Sequence, residues 1–363
     1  MTPKKRLIKA VKHEEPDRVP VVNTLTPASA QKVSNALNLP FERINNCLFN
    51  DQLVALGNDA ILVGADAPID FRPPVFEDGS YLDEWGIRYK KIGVHDEMIK
   101  HPLRDIENLD QMNEYFHRHK FPNPYDTGRF DLAKRQIAQY GNTYAVIGLL
   151  QMTMFESSWY MVGMEKYFMD LARGNEYIFA LLDRMIQYHL AIGKQLIDLG
   201  CDIIWIGDDF GDQDNMLISP DMFRRIFKPR FKMVIEELKS YNSDIIIAYH
   251  SCGMITPIIQ DLIEIRIDIL HPIQPVKGMD RVSIKKASSD RLALWGCLSI
   301  QDTLPFGSAS DVQDEIKRVI RDTAKGGGFI LGAAHHIQAD TPIENILAIY
   351  DTVKTNGNYP IMF

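Results

Sequence analysis

The stretch Ile245-Ile-Ile-Ala-Tyr-His-Ser-Cys-Gly253 joins an apolar strand to a polar exit. Four consecutive apolar residues predict a buried strand, and the glycine ends it. His250 and Cys252 stand two positions apart, so on an extended chain both side chains point to the same side. An imidazole and a thiol are ligands that Zn²⁺ accepts, provided that the rest of the chain supplies a third. For this pair alone, a buried cysteine beside a hydrogen-bonded histidine is the alternative.

The same pattern of an apolar strand followed by helical sequence recurs along the chain. Strands are predicted near residues 20, 61, 147, 204, 247, 270, 294 and 330. Eight short strands that alternate with helices predict an α/β protein with a single (β/α)8 TIM barrel, and a doubly wound open sheet is the alternative. In a barrel, all strand exits face one mouth.

The alternation of strand and helix patterns is interrupted between the second and third predicted strands. Residues 71–126 contain a predicted hairpin over Asp78–Tyr89 and then a polar segment. No linker composition bounds this segment, so we interpret it as an insertion in one domain that spans residues 1–363. Helices are predicted over Phe41–Leu56, which includes Cys47, and from Ser219 to Tyr241.

Composition narrows the classes of function. The chain has 363 residues, 45% of them hydrophobic, and a net charge of -8. This charge argues against nucleic-acid and membrane partners, because both require a basic face. No apolar run approaches the ~20 residues of a membrane helix. The four cysteines do not form a disulfide framework, which predicts a cytoplasmic protein, and a homo-oligomer is possible.

Polar side chains cluster at the predicted strand exits. A third metal ligand could come from Cys297 or from His335 and its neighbour His336, leaving one zinc position open as in catalytic sites. Nucleotide-binding glycine loops and a nucleophile elbow are absent from the sequence. The exits carry the following residues: Asn23, Asp66, Gln151, Glu156, Asp208, Asp209, His250, Cys252, His271, Gln274, Cys297, Gln301, His335, His336 and Gln338.

Several motifs together resemble the uroporphyrinogen decarboxylase superfamily, and within it the branch of zinc-dependent, cobalamin-linked methyltransferases. The resemblance covers nearly the whole chain. It rests on the following motifs: Lys12-His-Glu-Glu-Pro-Asp-Arg-Val-Pro20, Asp83-Glu-Trp-Gly86, Phe155-Glu-Ser-Ser-Trp159, Gly207-Asp-Asp-Phe-Gly211, His250-Ser-Cys-Gly253, Leu304-Pro-Phe-Gly307 and His335-His-Ile-Gln338.

One departure separates this chain from the porphyrinogen decarboxylases that it resembles. Those enzymes carry an arginine-rich loop after the first strand, whereas this chain reads Asn23-Thr-Leu-Thr-Pro27. A substrate with several carboxylates needs guanidinium groups, so the departure argues against uroporphyrinogen decarboxylation. Asp66 falls near the family's pyrrole-binding aspartate.

The methyltransferase resemblance implies zinc held by His250, Cys252 and a third ligand, His335 or Cys297. It implies methyl transfer between a small substrate and the cobalt of a separate corrinoid protein. Zinc would activate a thiol acceptor or the oxygen of a methyl ether in O-demethylation, and a methylamine-type donor is also compatible.

Further roles follow for the remaining exit residues. Catalytic acid, base or orienting roles are expected for Glu156, Asp208 and Asp209. Substrate contacts are expected from Asn23, Asp66, Gln274 and Phe210, the last in an aryl pocket. The alternatives are a metal-free decarboxylase and a non-catalytic barrel that binds a small ligand.

Overall fold

The computed structural model describes residues 1–42, 48–93 and 95–362. The strands in chain order are β1 (Ala60–Val63), β2 (Tyr81–Leu82), β3 (Arg88–Ile92), β4 (His95–Lys100), β5 (Ala145–Gln151), β6 (Ile203–Gly207), β7 (Ile246–His250), β8 (Ile269–His271), β9 (Ala293–Leu298) and β10 (Phe329–Ala333). The helices are α1 (Pro3–Val11), α2 (Pro27–Leu37), α3 (Asn50–Leu56), α4 (Leu109–Arg118), α5 (Asp131–Tyr140), α6 (Phe155–Val162), α7 (Met164–Arg173), α8 (Glu176–Asp198), α9 (Pro220–Met222), α10 (Lys228–Tyr241), α11 (Ile259–Glu264), α12 (Arg281–Ser288), α13 (Thr303–Phe306), α14 (Ala309–Thr323) and α15 (Ile343–Asn356).

Seven of these strands form one curled parallel sheet, in the order β1-β5-β6-β7-β8-β9-β10. Each is a short, mostly buried apolar run, which suits a strand covered on both faces. They coincide with seven of the eight predicted strands. The α/β class and a parallel, barrel-like sheet are therefore confirmed.

The segment predicted as the strand near residue 20, which we call segment 19–22, lies between the two edges of this sheet. The Val22 N–H donates to the Leu331 carbonyl of β10 (2.9 Å), and the Asp59 N–H donates to the Val21 carbonyl (2.7 Å) just before β1. The pairing of Val21 with Leu331 is an isolated parallel bridge rather than a ladder. The segment is thus extended, as a (β/α)8 barrel would require, but too short in its pairing to count as a strand.

Side-chain caps mark the starts of two helices, one of which is the helix predicted from Ser219. The Thr26 hydroxyl accepts the Ser29 N–H before α2, and the Ser219 hydroxyl accepts the Met222 N–H before α9. Both caps precede a proline in the first turn, where its missing N–H costs nothing. No helix among the described residues is long and apolar enough to cross a bilayer.

Two predicted helices differ in the structure. The helix expected over Phe41–Leu56 begins only at Asn50. The Asn50 side chain donates a hydrogen bond to the Leu62 carbonyl and accepts one from the Leu62 N–H. Residues 43–47, which include Cys47, lie outside the described residues. The helix from Ser219 contains a π-helical turn at Phe223–Phe227 before α10, next to Pro229, which lacks the N–H that a regular α-helix would use there.

The chain between β1 and β5 forms a small antiparallel sheet of β2, β3 and β4. The hairpin predicted over Asp78–Tyr89 is confirmed, because Tyr81 pairs with Tyr89 across β2 and β3. Trp85 anchors this region by packing edge-on against Phe121 and against Tyr188 of α8. The small sheet therefore packs onto the helical layer outside the parallel sheet.

Candidate metal centre and substrate pocket

Three potential metal ligands meet at the carboxyl ends of β7 and β10. His250 is the last residue of β7, Cys252 follows it, and His335 lies two residues past β10. Their ligand atoms all lie within 4.8 Å of one another. His250 Nε2 lies 3.5 Å from Cys252 Sγ, close to the ~3.6 Å that separates nitrogen and sulfur ligands on tetrahedral zinc. Two imidazoles and one thiol suit zinc, so the residues present fit this metal.

His271 supports His250 from behind. The two residues are register partners on β7 and β8, and their Nδ1 atoms lie 2.9 Å apart. Burial, together with the neighbouring His250 and His335, lowers the pKa of His271 well below its usual value, so this ring is neutral. The Ala333 carbonyl accepts its one N–H. His271 Nδ1 is then left to accept the proton of His250 Nδ1, which directs the Nε2 lone pair of His250 towards Cys252.

The pKa values of the other two candidate ligands, His335 and Cys252, shift in opposite directions. Burial, followed by the nearby His250, lowers the pKa of His335 to about 4, which keeps its ring neutral and able to bind a metal at pH 7. Burial and the charges of Asp209 and Glu156 raise the pKa of the Cys252 thiol. A metal bound here must therefore displace the proton of Cys252, and metal affinity should rise with pH.

Asp209 holds the loop that carries Cys252. Its Oδ1 accepts the Cys252 backbone N–H (2.7 Å) and lies 3.3 Å from His250 Nε2. Burial disfavours the charge of Asp209, but hydrogen bonds to its carboxylate outweigh the effect of burial and lower the pKa of Asp209. A metal cation at Nε2 would meet the same carboxylate, so Asp209 orients the candidate ligands in either state.

Glu156 faces the cavity from the start of α6. Its Oε2 accepts the Asp209 backbone N–H (3.0 Å), and its Oε1 accepts the Tyr160 hydroxyl (3.3 Å). Burial and the charges of Asp209 and Asp208 raise the pKa of Glu156 to about 8. Glu156 can therefore take up or release a proton near neutral pH, as a catalytic acid or base must.

Asp208, which was expected to act in catalysis, is wholly buried behind this layer. Its carboxylate accepts the backbone N–H groups of Met154 (3.0 Å) and Glu156 (2.9 Å), and burial raises its pKa. Adjacent residues at a strand end point to opposite sides, so only Asp209 reaches the cavity. The geometry gives Asp208 a structural role, which is to fix the start of α6.

Two of the candidate ligands, His250 and His335, line a cavity of about 350 Å³ at the mouth formed by the carboxyl ends of the strands. Cys252 lines a smaller cavity of about 130 Å³, which shares His335 with the first. A larger cavity of about 740 Å³ opens at the opposite ends of the strands, beside Asp202 and Asp268, but none of the three candidate ligands lines it. We place the functional site at the mouth. The mouth cavity of about 350 Å³ is lined by Thr24, Gln151, Met152, Glu156, Tyr160, Trp205, Asp209, His250, His271, His335 and His336.

Comparison with known families agrees with this geometry. Residues 89–356 match the model of the family described as "Uroporphyrinogen decarboxylase (URO-D)". The chain belongs to the uroporphyrinogen decarboxylase (URO-D) family. The resemblance inferred from the sequence motifs is confirmed.

Characterised URO-D relatives with similar sequences are corrinoid-dependent methyltransferases. Methylcobamide:CoM methyltransferase MtbA of Methanosarcina mazei is 23% identical over 360 residues, which cover 97% of this chain and 98% of MtbA. Methylcobamide:CoM methyltransferase MtaA of Methanosarcina barkeri is 28% identical over 168 residues, 46% of each chain. A solved methyltransferase from Methanosarcina mazei has the same fold, with a TM-score of 0.70, 19% identity, and coverage of 98% of this chain and 99% of the other.

Cys297, the alternative third ligand, does not join the group of candidate ligands. It is buried on β9, and burial raises the pKa of its thiol, on which the charges of Arg281, Glu315 and Asp322 from the helical layer also act. Two successive residues of β9 have a positive φ, Gly296 at 108° and Cys297 at 87°. The simple alternation that underlay the prediction therefore fails at this strand end, and His335 is the ligand that the geometry supports.

Two residues expected to contact substrate belong to the interior instead. Asn23 bonds to the Ala333 N–H (2.8 Å) and the Tyr350 hydroxyl (3.1 Å), which ties the first segment to β10. Phe210 is fully buried among aromatic rings, including Phe155 at 4.6 Å and Phe227 at 5.0 Å between centroids. Neither side chain is among the described residues that line the main cavity, since strand exits also hold structural residues.

Gln274 and Asp66 lie beside the site rather than in its main cavity. Gln274 Oε1 accepts the Gly253 N–H (2.7 Å), so it braces the Cys252 loop, and it lines a smaller cavity of about 130 Å³ behind that loop. The Asp66 backbone is held by Arg129 through bonds of 2.8 and 2.9 Å. Asp66 is not among the described residues that line the main cavity.

Sequence reasoning overlooked the roles of His271, Tyr160 and Trp205. No role was assigned to His271 from the sequence. His250 and His271 are each the last residue of a strand, and residues at matching positions on neighbouring parallel strands are expected to lie side by side. Tyr160 lies one helical turn after Glu156, a spacing that predicts contact. No sequence signal distinguishes Trp205 from an ordinary core residue.

Proposed function

We propose that the protein is a zinc-dependent methyltransferase that moves a methyl group between a small substrate and the cobalt of a corrinoid protein. The proposal rests on the group of His250, Cys252 and His335, whose ligand atoms lie within 4.8 Å of one another. Two of the three, His250 and His335, line the mouth cavity. Three protein ligands with an open fourth position are typical of catalytic zinc.

Each group at the site has a role in metal binding, positioning or proton transfer. Bound zinc would act as a Lewis acid that favours the thiolate of a thiol substrate or the leaving oxygen of a methyl ether. His271 holds the ring of His250, and Asp209 holds the Cys252 loop. Transfer of a methyl group to a thiol releases the thiol proton, and Glu156 faces the cavity where it can accept that proton.

The relatives favour a thiol as one partner in the transfer. MtbA and MtaA are named for CoM, the thiol 2-mercaptoethanesulfonate. By analogy, this chain would take the methyl group from a methylated corrinoid protein and pass it to a thiol, although the reverse direction uses the same site. No lysine or arginine in the described part of the chain lines the cavity, which speaks against the carboxylate-rich substrate of a porphyrinogen decarboxylase.

We also infer that residues 1–363 form one barrel domain, with residues 71–126 as an insertion. The support is the extended segment that bridges β10 and β1, and the small antiparallel sheet between β1 and β5. Such an arrangement leaves the mouth facing outwards, where a corrinoid domain has to reach it.

A methyl-transfer assay tests the function. Zinc-loaded protein should accelerate the loss of methylcobalamin absorbance when 2-mercaptoethanol is present, and zinc-stripped protein should lose and then regain this activity on zinc addition. Activity that survives complete removal of metal would contradict the proposal. An intact metal site without turnover of methyl donors would favour the non-catalytic binding barrel.

A further inference from the structure

The charge of the mouth cavity indicates the class of substrate. Two carboxyl groups, Glu156 and Asp209, line it, and lysine and arginine are absent from its lining throughout the described part of the chain. The small cavity behind the Cys252 loop is also free of lysine and arginine in that part, and Asp212 adds a carboxylate there. A substrate that enters this space therefore meets only negative or neutral protein groups, apart from a metal.

Glu156 lacks a cationic partner within the described structure. Its two hydrogen bonds come from neutral donors, the Asp209 N–H and the Tyr160 hydroxyl. Asp209 differs, since its Oδ1 lies 3.3 Å from His250 Nε2, where a bound metal would supply a positive charge. Ionisation of a buried carboxyl group without a cation is costly, and a ligand that brings a positive charge offsets that cost on binding.

An anion would meet the opposite situation. A sulfonate or carboxylate in this cavity would lose its hydration, lie near Glu156 and Asp209, and find no guanidinium or ammonium to replace the water. Aromatic side chains also line the cavity: the Tyr160 hydroxyl donates to Glu156, and Trp205 packs edge-on against His250 and His271. A quaternary or protonated amine is the group that acidic and aromatic side chains bind together.

On these observations, and on the basis of the proposed function, we propose that the methyl donor or acceptor of this protein carries an ammonium group that Glu156 recognises. Anionic thiols such as 2-mercaptoethanesulfonate are then poor substrates. The distinction lies in the end of the substrate that does not react, because zinc would treat the thiol ends alike.

Three thiols of the form HS–CH2–CH2–X isolate this end. They are thiocholine with a trimethylammonium group, 2-mercaptoethanol with a hydroxyl, and 2-mercaptoethanesulfonate. Thiocholine cannot chelate zinc through nitrogen, unlike a primary amine. Dissociation constants are measured by calorimetry on the zinc-loaded protein, on Glu156→Gln, and on Glu165→Gln, a matched control at an exposed residue of α7. Methyl transfer from methylcobalamin is followed in parallel.

We expect thiocholine to bind at least tenfold more tightly than the sulfonate in the unaltered protein and in the Glu165→Gln control. In Glu156→Gln this ratio should fall at least fivefold. The comparison between variants cancels the different acidities of the thiols and their intrinsic affinities for zinc. The amide side chain introduced by Glu156→Gln retains an oxygen acceptor for the Asp209 N–H, so the loop geometry should survive, and a thermal melt checks the fold.

Two results would overturn the inference while the proposed function stands. One is equal or tighter binding of the sulfonate together with methyl transfer to it. The other is a thiocholine preference that Glu156→Gln leaves unchanged. If none of the three thiols binds and methyl transfer is absent although zinc is present, the proposed thiol methyltransferase fails, and the inference fails with it.

Discussion

Each ring nitrogen of His250 has a separate partner. Nδ1 meets His271 at 2.9 Å, while Nε2 faces Cys252 and Asp209 at 3.5 and 3.3 Å. The motif His250-Ser-Cys252 predicted the two side chains on one side of the chain, and the structure bears this out. It could not predict that His271 would orient the ring, since that depends on the register between β7 and β8.

Replacement of His271 tests this support. His271→Ala should weaken zinc binding about 10- to 100-fold, because His250 Nδ1 loses its acceptor and the ring can turn. His271→Asn, which keeps an acceptor oxygen, should recover part of the affinity. Competition with a chromophoric chelator measures both values. Unchanged affinity in His271→Ala would mean that His271 does not orient the ligand.

Glu156 should govern the pH dependence of methyl transfer to a neutral thiol. With the pKa of Glu156 raised to about 8, the carboxylate form that accepts the thiol proton increases as pH rises through that value. The rate should rise with it until the group is ionised. Glu156→Gln should lower kcat/KM about 100-fold and remove this limb of the profile. A pH profile that keeps the limb in Glu156→Gln would assign it to another group.

At the scale of elements, the ends of the parallel strands must approach closely for the ligands to meet. Gly207 ends β6 at φ 142°, and a Cβ placed there would lie 2.1 Å from the His250 carbonyl oxygen. The apolar runs were sufficient to predict β5 to β10 as strands, because consecutive apolar residues favour a strand that is buried on both faces. The short pairing of segment 19–22 and the turn of the chain at Cys297 depend on tertiary packing, which the sequence pattern does not reveal.

Gly207→Ala should therefore disturb both stability and metal binding. The new methyl group must push β7 aside at His250, which should cost about 1–3 kcal/mol of unfolding free energy in addition to the backbone strain and should weaken zinc binding. Gly200→Ala is the matched control, since Gly200 also has a positive φ (100°) but no atom near its Cβ position.

Urea unfolding and zinc competition compare the two glycine variants. The control should show only the cost of strain, about 1 kcal/mol, and should retain zinc affinity. Equal effects in the two variants would contradict a specific role for the close approach at Gly207.

At the scale of the whole molecule, a buried ion network ties the N-terminal segment to the parallel sheet. Asp59, fully buried before β1, accepts bonds from Arg6 of α1 (2.6 Å) and from Arg18 (2.9 Å). Its Oδ2 also accepts the Val21 N–H (2.8 Å). This network sits where segment 19–22 passes between β10 and β1, so it holds the two edges of the sheet together. The exits of β7 and β10 converge on one site only if that closure is maintained.

Asp59→Asn should destabilise the protein by about 3–5 kcal/mol, because two guanidinium groups lose a buried counter-charge. The matched control is Asp214→Asn on an exposed loop, which should change stability by less than about 0.5 kcal/mol. Urea unfolding measures both variants. A loss as small as that of the control would show that the network does not close the sheet.

The metal content of the protein tests whether His250, Cys252 and His335 bind zinc. Elemental analysis of the purified protein, run beside His250→Ala, Cys252→Ala, His335→Ala and the control Cys297→Ala, reports which side chains bind zinc. We expect about one zinc per chain, lost in the first three variants and kept in Cys297→Ala. A protein without zinc after purification free of chelators, or zinc that survives in His250→Ala and Cys252→Ala, would contradict this expectation.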